Sequence, residues 1–337
     1  MNETYKRVTK LKNNICFYSY AAVGGYEERR GPLGDKFDFC DMSDKFGQKT
    51  WEIAESEMGR IALNTALTKG KISHTDVDLL VAGDLQNQCV ASAYGLQSFG
   101  IPFLGIYGAC STCTESLMIL SSFMDSKDTI EYGAAVTTSH NSAAERQFRT
   151  PIEYGGQRAK TAQWTSTAGG AFILKNGGGR VRISEYMPGK IVDGSTSDGS
   201  NMGGAMAFAA ADSIISYFND TKCDPSSFDY IITGDLGRVG SDILRDILSK
   251  EMPGIERLHE DCGLLLYDMK NQDAHSGASG CGTSASVLAC KFLPLLEDGK
   301  IKNILFLSTG ALMSPSSLLQ GENIFGIAPA IRLEYNG

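Results

Sequence analysis

The chain has 337 residues, of which 42% are hydrophobic and 21% are charged, and its formal net charge is −8. This composition is ordinary for a globular protein, and the length suits one large domain or two similar ones. The acidic balance argues against a nucleic-acid-binding surface and against membrane attachment through basic residues. Residues 1–14 lack the apolar core of a signal peptide, and no apolar run reaches the roughly 18 residues that span a bilayer. We therefore expect a protein that is made in the cytoplasm.

The first half of the chain is predicted to alternate between helices and buried strands. Residues 51–67 have the apolar spacing of a helix, and the apolar run Leu79–Ala82 follows as a strand. The next helix is predicted to start at Cys110, and residues 131–137 form the strand after it. Continuous apolar strands that alternate with helices indicate α/β units with a mostly parallel sheet.

The second half repeats this order. A helical pattern in residues 203–218 precedes the strand Tyr230–Thr233, and a second helix is predicted to start at Cys281. Residues 302–308 form a further apolar strand. The second half is therefore predicted to have the same α/β architecture as the first.

Short matches in sequence support a duplication. Three pairs of segments match in the same order in each half: 77–85 with 228–236, 110–120 with 281–291, and 134–140 with 305–311. Matched blocks in a shared order indicate a repeated domain. We predict two α/β halves, residues 1–178 and residues 179–337.

Cys110 lies where a predicted strand gives way to a helix, among Gly108, Ala109 and Ser111, which are too small to cover it. A helix N-terminus presents unpaired N–H groups and a partial positive charge, which lower the pKa of a thiol there. Cys110 is therefore a candidate nucleophile or ligand contact. One alternative is a small buried core residue. Another is a redox-active pair with Cys113, although that pair lacks the usual Gly-Pro insert.

The order strand, small residues, cysteine and helix resembles the thiolase and ketoacyl-synthase superfamily, and residues 280–289 (GCGTSASVLA) resemble its second-half block. The resemblance implies a thiolase-like fold, in which two duplicated α/β halves pack as a layered α-β-α-β-α sandwich. The superfamily pairs its cysteine with His/His or His/Asn, which move protons and bind an oxyanion. This chain has Asp235 and Cys281 at the partner positions, so no catalytic residue is expected there. His259 and His275 are the candidates that could replace the missing histidines.

Residues 139–165 (SHNSAAERQFRTPIEYGGQRAKTAQWT) are similar to a signature of the stage V sporulation protein AD family, and so are the Gly-rich segments 201–214 and 234–240. That family is the thiolase-like subunit of the spore dipicolinate channel complex. The resemblance implies binding of dipicolinic acid (pyridine-2,6-dicarboxylate), with or without Ca²⁺, for uptake into the forespore or release at germination. It also implies that other subunits of the complex hold the protein at the spore inner membrane.

The chemistry of the ligand points to particular residues. A planar dianion suits cations of fixed geometry, and Arg can hold a carboxylate through two parallel hydrogen bonds. The segment 139–165, predicted to cover the site, carries several cations. The predicted ligand-binding residues are Cys110, His140, Arg146, Arg149, Asp235, Arg238, His275 and Cys281. An alternative is that residues 139–165 form a dimerisation loop whose charges pair internally.

Three functions remain open at this point. The missing histidines favour a non-catalytic ligand-binding subunit without a cofactor or a metal of its own, with Ca²⁺ only as part of the ligand. The second is a thiolase-like acyltransferase that uses Cys110, and the third is a structural docking subunit with a vestigial pocket. We also expect a homodimer in which residues 134–138 supply the edge strand, because an unpaired apolar edge otherwise promotes aggregation.

Overall fold

The structure is a computed structural model that describes residues 6–127, 129–149 and 157–337. Its α-helices are, in chain order, α1 (Tyr26–Arg30), α2 (Trp51–Gly70), α3 (Val90–Leu96), α4 (Thr112–Ser126), α5 (Asn141–Arg149), α6 (Met202–Thr221), α7 (Gly237–Glu251), α8 (Cys262–Leu266), α9 (Cys281–Val287), α10 (Leu293–Glu297) and α11 (Pro315–Leu319). A π-helical turn, Leu288–Phe292, joins α9 to α10. No helix in the described ranges is long and apolar enough to span a bilayer.

The strands of the described residues are two to ten residues long. They are β1 (Thr9–Lys10), β2 (Ile15–Gly24), β3 (Phe39–Cys40), β4 (Val77–Gly83), β5 (Phe103–Gly105), β6 (Tyr132–Ser139), β7 (Trp164–Thr165), β8 (Ala168–Asn176), β9 (Val181–Met187), β10 (Val192–Asp193), β11 (Tyr230–Thr233), β12 (His259–Asp261), β13 (Ala278–Ser279), β14 (Asn303–Leu307), β15 (Gly310–Leu312), β16 (Phe325–Ile327) and β17 (Ala330–Tyr335).

The main sheet is built from two equivalent halves. Its strands follow the order β12-β11-β14-β17-β9-β2-β8-β6-β4-β5, and β2 meets β9 at the centre. From the outer edge to the centre, the first half has the order β5-β4-β6-β8-β2 and the second half has the order β12-β11-β14-β17-β9. If the five strands of each half are numbered along the chain, both orders read third, second, fourth, fifth, first. The fifth strand of each half, β8 or β17, is antiparallel to both of its neighbours. The tertiary structure thus repeats where the sequence repeats. The predicted division between residues 178 and 179 lies in the connection between β8 and β9, and it stays a prediction.

The two faces of each half-sheet pack against different helices, because successive strand residues point to opposite sides. In β14, Ile304 and Phe306 lie in the core shared with α4 and α9, whereas Leu305 and Leu307 pack in the core of α6. In the first half, α2 covers the outer face of β2, β8 and β6. The helix α4 contacts α9 and strands of both halves, and so lies between the two half-sheets. The layers are therefore α-β-α-β-α, as the thiolase-like resemblance implied.

Two details of the predicted elements are wrong. Residues 134–138 belong to β6, which pairs with β4 on one side and with β8 on the other, so this segment is interior. The first half of the sheet instead ends at β5, whose residues are exposed. The helix after Cys110 begins at Thr112, because the backbone makes a turn first.

Candidate functional site

Cys110 lies on a tight turn between β5 and α4. Ala109 takes a left-handed backbone conformation with φ of 53°, which is unusual for a residue with a side chain. The Thr112 hydroxyl donates to the carbonyl oxygen of Ala109 at 2.7 Å and accepts from the N–H of Gly108 at 3.1 Å. The Ser111 hydroxyl donates to the carbonyl oxygen of Gly108 at 2.7 Å. The start of α4 thus holds the turn in place, and the turn directs the thiol into a cavity.

The Cys110 thiol meets the equivalent turn of the second half. Its Sγ lies 3.9 Å from Oγ of Ser279, at the end of β13. Cys281, the first residue of α9, packs in the same small cluster as Cys110. The thiol of Cys281 donates to the backbone oxygen of Thr138 at 3.0 Å. The duplicated helices therefore bring both cysteines to one place.

Asp235 is fully buried beside these residues, at the end of β11. Its Oδ2 accepts from the N–H of Gly280 at 2.8 Å and from the Ser279 hydroxyl at 3.2 Å. Its Oδ1 accepts from the Thr309 hydroxyl at 2.8 Å. The carboxylate thus joins the end of β13 to the segments that follow β11 and β14.

Both thiols are held in the protonated form. Burial, and next the Asp235 carboxylate, raise the pKa of Cys110 well above its ordinary value. Burial, and next the proximity of Cys110, raise the pKa of Cys281. The pKa of Asp235 is raised to about 6 by burial, although its hydrogen bonds oppose the rise. The lowered pKa expected for Cys110 is therefore wrong, because loss of water and a nearby anion outweigh the field of a helix that starts two residues later.

A cavity of about 240 Å³ opens beside Cys110, between the two halves. Its wall is mostly apolar, and its hydroxyl-bearing residues are Tyr107, Thr165, Ser200 and Ser279. No Lys, Arg or His occurs among the described residues that line it, whereas Glu145 does. Within the same described ranges, no group of three His, Cys, Asp or Glu side chains is arranged to hold a metal ion.

The helix α5 covers one side of this cavity. Ala144, Glu145 and Phe148 line it, and they lie on one face of the helix. The described part of the segment 139–165 therefore lies at the cavity mainly through small, apolar and acidic side chains.

The structure brings only part of the predicted residue set to the cavity. Cys110 lines it, with Asp235 and Cys281 directly behind. Arg146 lies on another face of α5, is 58% exposed and forms an ion pair with Glu52. Its position does not support a contact with the ligand. The side chain of Arg149 lies outside the described part of the chain.

The other predicted residues also lie away from the cavity wall. His140 is buried, with its Nε2 2.7 Å from the carbonyl oxygen of Asp44. His275 is held by Asp273 and by the carbonyl oxygen of Ala159, each at 2.8 Å. The side chain of Arg238 is exposed at the start of α7. None of these three is among the lining residues, because each belongs to a segment that packs elsewhere on the surface or in the core.

Two polar residues of the site, Ser279 and Thr309, were not predicted from the sequence. Ser279 lies two residues before Cys281, and Thr309 follows the strand that repeats in both halves. Both hydroxyls bind Asp235. Their positions next to the repeated blocks are the signal that could have identified them.

Comparison with known proteins places the chain in a family. A model of stage V sporulation protein AD (SpoVAD) matches residues 5–334. The stage V sporulation protein AD of Bacillus subtilis (strain 168) is 40% identical over 337 residues, which cover 100% of this chain and 99% of that protein. This chain belongs to the SpoVAD family. The resemblance read from residues 139–165 is thereby confirmed.

Solved structures show which fold this SpoVAD-family chain has. The 3-oxoacyl-[acyl-carrier-protein] synthase III of Aquifex aeolicus VF5 has a TM-score of 0.58 and 12% identity, with coverage of 94% of this chain and 99% of that one. A variant of OleA from Xanthomonas campestris has a TM-score of 0.61 and 13% identity, with coverage of 97% and 100%. At such low identities the likeness shows the fold alone, which is thiolase-like.

Proposed function

We propose that this protein acts in sporulation as a non-catalytic subunit that binds dipicolinic acid in the cavity beside Cys110. In this role it serves the uptake of dipicolinate into the forespore. It is held at the spore inner membrane by the other subunits of the channel complex, and its site needs no cofactor.

One observation carries the non-catalytic part of the proposal. The thiol of Cys110 is buried next to the carboxylate of Asp235, which disfavours the thiolate that attacks an acyl group. An ionised carboxylate cannot donate a hydrogen bond to an oxyanion, and an imidazole that could do so does not line the cavity within the described residues.

The cavity suits a small flat ring. Its volume of about 240 Å³ and its apolar wall, which includes Tyr107, Phe148 and Met202, favour a single aromatic ring. Carboxylates on that ring can accept hydrogen bonds from Thr165, Ser200 and Ser279. A chelated Ca²⁺ would neutralise the ligand, which reduces its repulsion from Asp235.

A calorimetric titration with dipicolinate, with and without Ca²⁺, tests the proposal. We expect saturable binding and weaker binding of pyridine-2-carboxylate. Ser279→Ala should lose roughly 10- to 150-fold in affinity, because one hydrogen bond to a charged group contributes about 1.5–3 kcal/mol. Ser122→Ala is the matched control, because Ser122 lies on α4 and pairs with Tyr186. Absence of binding in all conditions would leave the docking subunit as the better description.

The acyltransferase alternative rests on the Cys110 thiol, which does line the cavity of a fold shared with acyl-transferring synthases. Incubation with acyl-CoA thioesters, followed by mass spectrometry of the Cys110 peptide, separates the two functions. Stable acylation at Cys110 would contradict the binding-only proposal.

A further inference from the structure

Asp235 forms part of the support directly behind the cavity wall. Ser279 lines the cavity, and its hydroxyl donates to Oδ2 of Asp235 at 3.2 Å. Cys110 also lines the cavity, 3.9 Å from the same hydroxyl. A dicarboxylate in the cavity would therefore lie one layer of side chains away from a fully buried carboxyl group.

The groups that face Asp235 do not neutralise it. They are the thiols of Cys110, just before α4, and of Cys262 and Cys281, the first residues of α8 and α9. The carboxyl of Asp261, the last residue of β12, also faces it. The remaining contacts are the hydroxyls of Ser279 and Thr309, the N–H of Gly280, and the Gln163 amide on the Asp235 backbone oxygen. A second anion would meet no compensating cation among these described groups.

We propose that the cavity takes up one proton together with its dicarboxylate, and that Asp235 is the positioning residue that accepts this proton. The inference rests on the proposed function, which it extends to the regulation of binding. The proton comes from solvent and adds to a carboxylate oxygen of Asp235, while the ligand stays a dianion.

Protonation also changes what Ser279 can do. An ionised Asp235 accepts the hydroxyl proton of Ser279, so that this proton points away from the cavity. A protonated Asp235 can instead donate to Oγ of Ser279. The hydroxyl proton of Ser279 then becomes available to a ligand carboxylate. The same event therefore removes a repulsive charge and supplies a hydrogen-bond donor.

The direction of the pH dependence follows from the pKa values. Burial raises the pKa of Asp235 to about 6 in the free protein, and a bound dianion raises it further. Below about pH 6 the group is protonated in both states, so the affinity is constant. Above that pH the free protein must gain a proton on binding, and the affinity falls by up to about tenfold for each pH unit. The fall ends once the pH exceeds the pKa of the complex.

Calorimetric titration with dipicolinate in phosphate and in Tris at one pH counts the protons, because the two buffers differ in their heat of ionisation. We expect the count to approach one per ligand at about pH 7 and the dissociation constant to rise several-fold between about pH 7 and about pH 8. Binding at pH 7 without proton uptake would overturn the inference and leave the proposed function intact. Absence of binding at every pH would overturn the proposed function itself.

Substitution of Asp235 tests whether this residue takes up the proton when the ligand binds. Asp235→Asn should bind dipicolinate with no proton uptake and with an affinity that does not change between about pH 6 and about pH 8. If Asp235 had only a structural role, Asp235→Asn would weaken binding equally at each pH and leave the number of protons taken up unchanged. Proton uptake that persists in a folded Asp235→Asn protein would overturn the assignment.

Two further variants serve as controls. Asp84→Asn changes the equivalent aspartate of the first half, whose Oδ2 accepts from the N–H and the hydroxyl of Ser92, a residue that does not line the cavity. It should keep the proton uptake. Ser279→Ala should also keep it, with weaker affinity, and it tests the inference even if Asp235→Asn fails to fold. Removal of the Ser279 hydrogen bond raises the pKa of Asp235 and moves the proton uptake to higher pH, so uptake in this variant is measured from about pH 7 to about pH 9. Absence of uptake over this whole range would show that Asp235 is not the group that responds to the charge of the ligand.

Discussion

At the scale of single residues, the protonation state of the Cys110 thiol distinguishes a binding protein from an enzyme. Cys110 is 6% exposed, and burial together with the Asp235 carboxylate raises the pKa of its thiol. A thiol that stays protonated near neutral pH reacts slowly with alkylating agents, whereas a catalytic thiolate reacts fast.

We predict that iodoacetamide at about pH 7 modifies Cys110 of the folded protein at least about tenfold more slowly than the same cysteine in the unfolded protein. Mass spectrometry of the Cys110 peptide over time measures both rates. Rapid, stoichiometric modification of the folded protein would indicate an activated nucleophile and favour the acyltransferase alternative.

The position of Arg146 changes what we expect of its removal. The side chain pairs with Glu52 at the surface of α5 and not with the cavity. Exposed ion pairs contribute little to stability or to binding at a separate site. The ligand contact that the sequence predicted for Arg146 therefore has no support in its position.

Arg146→Ala should change the dissociation constant for dipicolinate by less than about threefold, which is within 1 kcal/mol. Lys12→Ala, on the exposed surface, is the control for general charge effects. A loss of tenfold or more in Arg146→Ala alone would mean that α5 rearranges to bring this guanidinium to the ligand.

At the scale of elements, α9 packs against β8 so closely that side chains do not fit between them. A Cβ at Gly282, the second residue of α9, would overlap the carbonyl oxygen of Ala168. A Cβ at Gly170 in β8 would likewise lie only 2.7 Å from the carbonyl oxygen of Ala285. This approach sets where Cys281 lies relative to Cys110, so the geometry of the site depends on it.

Gly282→Ala should therefore lower the free energy of unfolding by about 1–3 kcal/mol or more, because backbone must move to admit the methyl group. Gly59→Ala is the matched control in α2, where the nearest atom, Cγ2 of Thr138, would lie 3.5 Å from the new Cβ. That change should leave stability equal or raise it by up to about 1 kcal/mol, since Ala favours helix. Urea unfolding measures both, and equal midpoints for the two variants would contradict the packing argument.

At the scale of the whole molecule, the exposed end of the main sheet determines how two copies would associate. Within the described residues, β5 pairs with β4 and ends the strand order, and its side chains Phe103 and Leu104 are exposed. An apolar edge strand of this kind favours pairing with a second copy about a two-fold axis.

We predict a homodimer in which β5 pairs with β5 of the second copy. Leu104→Glu should shift the protein to a monomer, because it places a charge in the paired edge, whereas Ile191→Glu, at a more exposed apolar position in the second half, should leave it dimeric. Light scattering after size-exclusion chromatography gives the mass of each. A monomeric wild-type protein at micromolar concentration, or a dimeric Leu104→Glu protein, would contradict this interface.

The sequence by itself determined the local elements, the duplication and the place of Cys110. Strand and helix periods are local properties, so the apolar runs Leu79–Ala82 and Tyr230–Thr233 identified strands that the structure contains. The repeated blocks identified the equivalent cysteines, because a duplicated chain folds its copies alike.

Only the tertiary structure decided which charged side chains lie at the cavity and whether the Cys110 thiol is protonated. Whether Arg146 faces a ligand or Glu52 depends on the rotation of α5 and on a helix distant in sequence. The pKa of Cys110 depends on desolvation and on Asp235, which belongs to the other half of the chain. The sequence likewise predicted the sheet edge at residues 134–138, whereas the structure has it at β5. Strand order depends on long-range pairing, which local patterns do not encode.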